Sequence, residues 1–334
     1  MNALAANRLA AKPEASPATA PGMRPEVRQV RIDDHHAGQR LDNFLISELK
    51  GVPKSRLYRI VRSGEVRVNS RRVSPEYRLI LGDLVRLPPV RTATEQPMSV
   101  PGAEFPILYE DDALLAIDKP AGVAVHGGSG VSFGVIEQLR AARPQARFLE
   151  LVHRIDRETS GVLLVARRRP ALLALHEAMR QGQVAKRYLA LVQGDWNGPA
   201  QALRFPLHRY LTPEGERRVM VRDGGQVAGT RVKALARRTH PRFGPVTLVQ
   251  ADLETGRTHQ IRVHLAHVGH RLLGDEKYGD FELNKSLQKE GHKRMFLHAY
   301  KVRLKHPSSG ADLHVEAPVP EAFEQFLRVC HAPL

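Results

Sequence analysis

The chain of 334 residues has one cysteine, Cys330, close to its C-terminal end. A single thiol cannot close an internal disulfide, so packing must hold the fold, and a cytosolic compartment is the expectation. No apolar run reaches the roughly eighteen residues that a membrane-spanning helix needs. No continuous apolar stretch follows a basic start at the N-terminus, so a secretory signal is not expected. Neither a Walker loop nor G-x-G-x-x-G is present, which argues against a nucleotide cofactor. HExxH is also missing, which argues against a zinc protease.

Acidic residues are in deficit as well. There are 35 Asp and Glu against 51 Lys and Arg, a formal net charge of +16, and 39 of the basic residues are Arg. Arg carries a planar fork that matches phosphate and stacks on bases. Biased codon usage also enriches Arg and Ala, so composition alone leaves both explanations open. No basic amphipathic helix with a bulky apolar face stands out, so nucleic acid is favoured over a membrane surface as the polyanion.

The length suits about two domains of roughly 100–200 residues each. Residues 1–24, rich in Ala, Pro, Thr and Ser, cannot bury enough surface to offset their ordering entropy and read as a disordered tail. Residues 25–91 read as a small basic α/β unit. A strand is expected within 26–36. Leu41, Phe44, Leu45 and Leu49 have helical spacing. A second helix follows, with Ser55 as its N-cap, Gly64 as its stop and Leu57, Ile60 and Val61 facing inward. Short strands are expected in "EVRVN" and "GDLVRLP". Residues 38–91 hold twelve Lys or Arg and five Asp or Glu, a net of +7. Candidate RNA contacts in this unit are Arg40, Lys54, Arg56, Arg59, Arg62, Arg67, Arg71 and Arg72.

Residues 92–104 read as a Pro-containing linker, and 105–334 as the larger domain. Strand-like runs there are "ALLAID", "GVLLVA", "YLALVQG", "VTLVQADL" and "AYKVRLKH". Helix-like runs are 134–142, 170–180, 259–268 and 320–329. Strands outnumber helices without alternating strictly with them, so the expected class is α+β with a mainly antiparallel mixed sheet.

Four segments could carry chemistry. "LVHRIDRETSGVLLVA" (151–166) places His153, Arg154, Asp156, Arg157 and Glu158 in a turn between apolar strands. Nearby arginines favour an ionised Asp156, suited to act as nucleophile or base, although a charged turn with local ion pairs explains the pattern equally well. In "ETGRTHQIRVHLAHVGH" (254–270), Arg257 and Arg262 could meet phosphate, or one could pair with a carboxylate. His259, His264, His267 and His270 lack a metal-site pattern and read as packed or RNA-facing donors. "DKPAGVAVHGGSG" (118–130) suggests either a phosphate cradle or, more simply, a tight turn packed under the site. In "KRYLALVQG" (186–194), Tyr188 is either core or a ring for base stacking, which is worth about 1–3 kcal/mol per base.

"HRIDRETSG" resembles the HRLDxxTSG signature of the RluA-type pseudouridine synthases. "DKPAGVAVH", "KRYLALVQG", "LETGRTHQIRVHLAHVGH" with "GDEKYG", and "RMFLHA" resemble the family's other motifs in the correct order, over about 107–318. The unit at 38–91 resembles an S4 RNA-binding domain. The resemblance implies an RNA pseudouridine synthase with a mainly antiparallel catalytic domain and no cofactor or metal. It implies Asp156 as the catalytic aspartate, Tyr188 stacked on the target base and assisting proton removal, and Arg257 paired with the aspartate. It further implies Leu297 packed against the flipped base, with His153 and Arg154 as substrate contacts. "GQRLDNFL", "VHGGSGVSFGVIE" and "RPQARFLELVHR" resemble the branch acting on 23S rRNA. That implies three separate uridines as targets and the rRNA or the pre-50S particle as partner; a monomer is the expectation, though the sequence does not fix the oligomeric state. Ile155 stands where Leu is usual, and Arg271 where Pro is common; 195–245 match least well. The alternatives are a tRNA pseudouridine synthase and a non-catalytic rRNA-binding assembly factor. A carboxylate glycosidase is remoter, since it needs a second acid across the bond.

Overall fold

The structure is a computed structural model that describes residues 27–33, 36–49, 52–90, 100–128 and 131–332. The expected tail at 1–24 and most of the expected linker lie outside the described residues. Contacts divide the chain into two compact units, Met1–Pro97 and Met98–Leu334.

In the first unit, strand β1 (Arg28–Arg31) is followed by helices α1 (Leu41–Glu48) and α2 (Lys54–Arg62) and by strands β2 (Arg67–Val68) and β3 (Leu84–Leu87). The strands form an antiparallel sheet in the order β1-β3-β2. Leu41, Phe44, Leu45 and Leu49 pack with Leu57, Ile60 and Val61 against Val68, Val85 and Leu87 in one core. Two helices of eight and nine residues are too short to be stable alone, so this shared core is what holds them. One expectation needs correction. α2 begins at Lys54 with Pro53 in the cap position, so Ser55 lies inside the first turn and is not the N-cap. Gly64 stops the helix as expected, with φ +77°.

The second unit begins with β4 (Ile107–Glu110), β5 (Leu114–Lys119), α3 (Val135–Ala142), β6 (Glu150–Leu151) and β7 (Ser160–Ala166). It continues through α4 (Arg169–Arg180), β8 (Ala185–Gln193), β9 (Gln201–Leu203), β10 (Leu207–Leu211) and β11 (Arg217–Val221). Then come β12 (Thr230–His240), β13 (Gly244–Leu253), α5 (Gln260–His267), α6 (Phe281–Lys289), β14 (Leu297–Lys305), β15 (Asp312–Glu316) and α7 (Glu321–Arg328). The large sheet runs β4-β5-β7-β14-β8-β13-β12-β9, with β15 on β14 and β6 on β7, while β10 and β11 form a separate hairpin. Every pairing in the large sheet is antiparallel except β7 with β14. The α+β class with a mainly antiparallel mixed sheet is therefore correct. Helix α6 and strands β9 to β12 had no counterpart among the named sequence runs, because their apolar residues are sparse.

Strand alternation explains why the apolar runs are nearly continuous. Along β7, Leu163 and Val165 pack with Val135, Ile136 and Leu139 of α3 and with Ile261 and Leu265 of α5. Val162, Leu164 and Ala166 face the other way, onto Leu175 of α4. On β8, Tyr188, Ala190 and Val192 join the first layer, while Leu189 and Leu191 meet Leu287 of α6 and Phe323 and Phe326 of α7. Helices on both faces require apolar side chains on both faces. The parallel pair depends on Gly161, at φ +108°, where a Cβ would lie 2.2 Å from the Ala299 carbonyl oxygen. Gly161→Ala is expected to destabilise the protein by at least about 2 kcal/mol, combining strain at positive φ with overpacking. Chemical denaturation of the two proteins measures this, and an equal midpoint would remove the steric account.

Candidate active site

The second unit contains a cavity of about 560 Å³. Its wall brings together sequence-predicted residues from distant segments, namely His153, Arg154, Asp156, Tyr188, Arg257 and Leu297. That volume falls within the usual range for small-ligand sites, roughly 300–1,000 Å³.

Asp156 sits in the turn leading into β7, closed by a hydrogen bond from the Thr159 amide to the Asp156 carbonyl (3.1 Å). The turn is stapled from below by the 118–123 segment. Lys119 is fully buried, and its Nζ donates to the carbonyls of Pro120 (2.6 Å), Val123 (2.7 Å) and Arg157 (3.0 Å). Three acceptors match the three donors of an ammonium, and burial pushes the Lys119 pKa down to about 7. The Gly122 amide also donates to the Arg157 carbonyl (2.9 Å). Residues 118–123 thus form the tight turn packed under the site. Ser129 and Gly130, at the end of the 118–130 segment, lie outside the described residues.

The cation paired with Asp156 is Arg262, not Arg257. Arg262 Nη1 donates to Asp156 Oδ2 (3.0 Å), while its Nε and Nη2 donate to Asp275 Oδ2 (2.7 Å) and Oδ1 (2.6 Å). The Arg262 side chain is 5% exposed and that of Asp275 is 0%. Burial alone would raise the Asp275 carboxyl, but the Arg262 hydrogen bonds and charge, with the amides of Lys277 and Tyr278, hold it below the usual value. Asn284 of α6 completes the brace by donating to the Asp275 carbonyl (2.8 Å). Tyr278 lies under the guanidinium, 5.1 Å from ring centroid to Cζ. Arg257, by contrast, precedes α5 and is exposed; its Nε donates to the Val227 carbonyl (3.1 Å). The turn that carries it is fixed by Gln260 Oε1, which accepts from Thr255 Oγ1 (2.7 Å) and the Arg257 amide (3.0 Å).

A sequence signal for this distinction existed. Ile261, Val263 and Leu265 interleave with Gln260, Arg262 and His264 in α5, leaving no polar stripe, and all six residues are buried. Apolar residues spaced on every side of a helix leave it no face for water and mark it as interior, and an arginine inside it requires a carboxylate partner. Arg257 lies in a Thr-Gly turn, where water serves that purpose.

The other expected residues have definite surroundings. Tyr188 is 7% exposed, and burial, with the Asp156 charge adding to it, raises its pKa above the usual phenol value. His153 Nε2 accepts from the Leu164 amide (3.2 Å), and burial drives its pKa down to about 3. Leu297 is buried in the wall, whereas Arg154 is exposed. His259 links Asp156 to Tyr278: its Nδ1 lies 2.7 Å from the Tyr278 hydroxyl and its Nε2 3.9 Å from Asp156 Oδ1. His264 bonds Thr230 and the Phe205 carbonyl, and His270 the Gln193 carbonyl. These histidines have protein partners of their own. A separate group, His240, Glu290 and His292, has ligand atoms within 4.8 Å of one another but lines no part of the cavity. Arg242 already occupies it, pairing with Glu290 (2.6 Å) and donating its amide to His240 Nδ1 (3.2 Å).

In the first unit, Arg40 is engaged by Asp42, with Nε–Oδ1 at 3.1 Å and Nη2–Oδ2 at 2.7 Å. Arg67 bonds the carbonyls of Gly64 and Ser70, and Arg72 that of Ser63. Lys54, Arg56, Arg59, Arg62 and Arg71 are exposed.

Residues 113–267 match the family described as RNA pseudouridylate synthase, and 39–85 match the S4 domain. Ribosomal large subunit pseudouridine synthase C of Yersinia pestis is 52% identical over 303 residues, covering 88% of this chain and 93% of that protein. The protein of the same name from Escherichia coli is 49% identical, covering 91% and 97%. Human RNA pseudouridylate synthase domain containing 4 superposes with a TM-score of 0.54 at 26% identity, covering 69% of this chain and 95% of that one. Human RNA pseudouridylate synthase domain containing 1 gives 0.55 at 24% identity, covering 70% and 99%.

Arg262→Met is expected to cost about 3–5 kcal/mol, since it leaves Asp275 buried without its partner, whereas Arg257→Ala should stay within about 0.5 kcal/mol. Thermal and urea unfolding of the two variants checks the contrast, and equal losses would contradict the assignment.

Proposed function

From a chain that belongs to the RNA pseudouridylate synthase family and carries an S4 domain, we propose that large-subunit rRNA is the substrate and Asp156 the catalytic group. As a pseudouridine synthase the protein is an isomerase acting on RNA. The observation carrying the residue assignment is the Asp156 carboxylate in the cavity wall. Its Oδ2 is held by a buried arginine, and its Oδ1 makes no hydrogen bond among the described residues.

A uridine within folded RNA must be turned out of its stack to reach such a cavity, at a cost of a few kcal/mol. Cations on the RNA-binding unit and around the cavity offset part of that through phosphate contacts. Asp156 then acts at C1′, either by attacking it directly or by removing a sugar proton to leave a glycal. In both routes the C1′–N1 bond breaks, the uracil rotates, and C5 bonds to C1′; in the first the Asp156–C1′ bond breaks as C5 bonds, and in the second Asp156 returns the proton to C2′. Restoring aromatic conjugation requires loss of the C5 proton. Tyr188 stays protonated, because burial and the neighbouring carboxylate raise its pKa. Its role is to stack on the base and to order the water that accepts the C5 proton. Leu297 packs the opposite side of the base, and His153 and Arg154 contact the nucleotide. Arg262 fixes the rotamer of Asp156 and holds its charge in place, taking the role expected of Arg257.

The large-subunit substrate rests on the names of the relatives, and the resemblance within the family extends it to three uridines of 23S rRNA. Pseudouridine mapping of unmodified 23S rRNA and of unmodified tRNA, with wild type and Asp156→Asn and no added metal or cofactor, tests both parts. The expected result is pseudouridine at discrete 23S positions with wild type alone, while Asp156→Asn binds RNA and loses at least about a thousandfold in turnover. Turnover by Asp156→Asn would overturn the residue assignment. Modification of tRNA alone would overturn the substrate.

A further inference from the structure

One cation in the cavity wall has no part in these steps. Lys186 stands two residues before Tyr188 on β8. Strand alternation puts the two side chains on one face, about 6.6 Å apart along the chain. Lys186 pairs in register with Leu253 of β13, and the following turn brings Gly256 against its head. A Cβ on Gly256 would lie 3.3 Å from Lys186 Nζ. The absence of a side chain there leaves room around the ammonium.

This ammonium is uncompensated. Among the described residues Nζ makes no hydrogen bond and no ion pair. The neighbouring Arg187 is paired with Asp252 at 2.8 Å, Arg262 with two carboxylates, and Lys119 with three carbonyls. Burial lowers the Lys186 pKa and no carboxylate counters it. Its charge in turn helps keep His153 neutral, so that ring supplies no counter-charge. A partly buried cation without a partner costs stability. The cost is offset once an anion enters the cavity.

We propose that Lys186 binds a non-bridging phosphate oxygen of the RNA backbone beside the target nucleotide. Two other cavity-lining cations, Arg154 and Arg257, also lack a carboxylate partner among the described residues, while Arg180 is paired with Glu177. The unpaired charges thus all line the cavity that the phosphodiester chain of a flipped nucleotide would approach. A phosphate fits better than a uracil carbonyl for two reasons. It carries a full negative charge before any bond breaks. One strand repeat from the ring that stacks the base is also about the reach from a pyrimidine to its own phosphate. The inference rests on the reading that this cavity receives a flipped uridine.

The test compares Lys186→Met and Lys186→Arg on an unmodified 23S rRNA fragment. Binding is measured by fluorescence anisotropy across a salt series in the Asp156→Asn background, and turnover with Asp156 intact. Lys186→Met is expected to weaken binding by about tenfold or more. It should flatten the slope of log K against log salt by about 0.7–0.9, the value for one phosphate contact. KM should rise while kcat changes by no more than about twofold, and Lys186→Arg should keep the wild-type slope. An unchanged slope overturns the proposal. If kcat falls instead, the ammonium serves the departing uracil; if only the melting temperature falls, it serves packing. Binding slopes do not depend on chemistry, so they remain readable even if Asp156→Asn proves active and the catalytic assignment fails.

Discussion

The catalytic unit depends on one guanidinium held between two carboxylates. Arg262 reaches Asp156 with one nitrogen and Asp275 with two, and both Arg262 and Asp275 are almost removed from water. Such a group is costly to bury unless every charge and lone pair finds a partner. The surrounding structure supplies them. The amides of Lys277 and Tyr278 point at Asp275, Asn284 ties its carbonyl to α6, and Tyr278 lies beneath the guanidinium. Asp156 is the exposed end of this network, with 19% of its side chain accessible. The interior of the triad is rigidly satisfied, and the outer carboxylate is presented to the cavity.

A second constraint acts from the opposite side of the same turn. Lys119, at the end of β5, donates to the carbonyls of Pro120 and Val123 in its own turn and to that of Arg157, just after Asp156. The side chain of Asp156 is thereby fixed by Arg262 and its backbone by Lys119. Both are buried cations, yet neither is free for substrate. The cavity-lining cations that remain without a carboxylate among the described residues are Arg154, Lys186 and Arg257. The site therefore separates cations that build it from cations available to RNA.

Much of this was legible in the sequence. The helical spacing of Leu41, Phe44, Leu45, Leu57, Ile60 and Val61 identified the small core, because local periodicity determines which face is buried. The apolar runs identified the main strands of the sheet. Motif order placed Asp156, Tyr188 and Leu297 in one site, and the structure brings all three to one cavity. Helix α6 was not legible: its main buried residues are Leu287 and Asn284, and Asn284 matters through the Asp275 carbonyl and the Gly274 amide, nine and ten positions earlier in the chain. The twisted hairpin β10–β11 escaped notice for a similar reason, since little of it is buried.

The arginine shows most clearly where the division falls. The residues alone left Arg257 and Arg262 both open to phosphate or to a carboxylate, and the family resemblance implied Arg257 as the partner of Asp156. Which arginine pairs with the aspartate depends on the direction α5 faces once it packs under the sheet. Residues 257 and 262 are five positions apart, and only the buried one is denied water and compelled to find a carboxylate. The sequence by itself determined the excess of arginine, the apolar runs that become strands, and the motif resemblance that singles out Asp156, Tyr188 and Leu297. Tertiary structure alone decided which cations are neutralised by protein and which face the cavity unpaired. Desolvation, which sets that distinction, is a property of the packed fold and of no single residue.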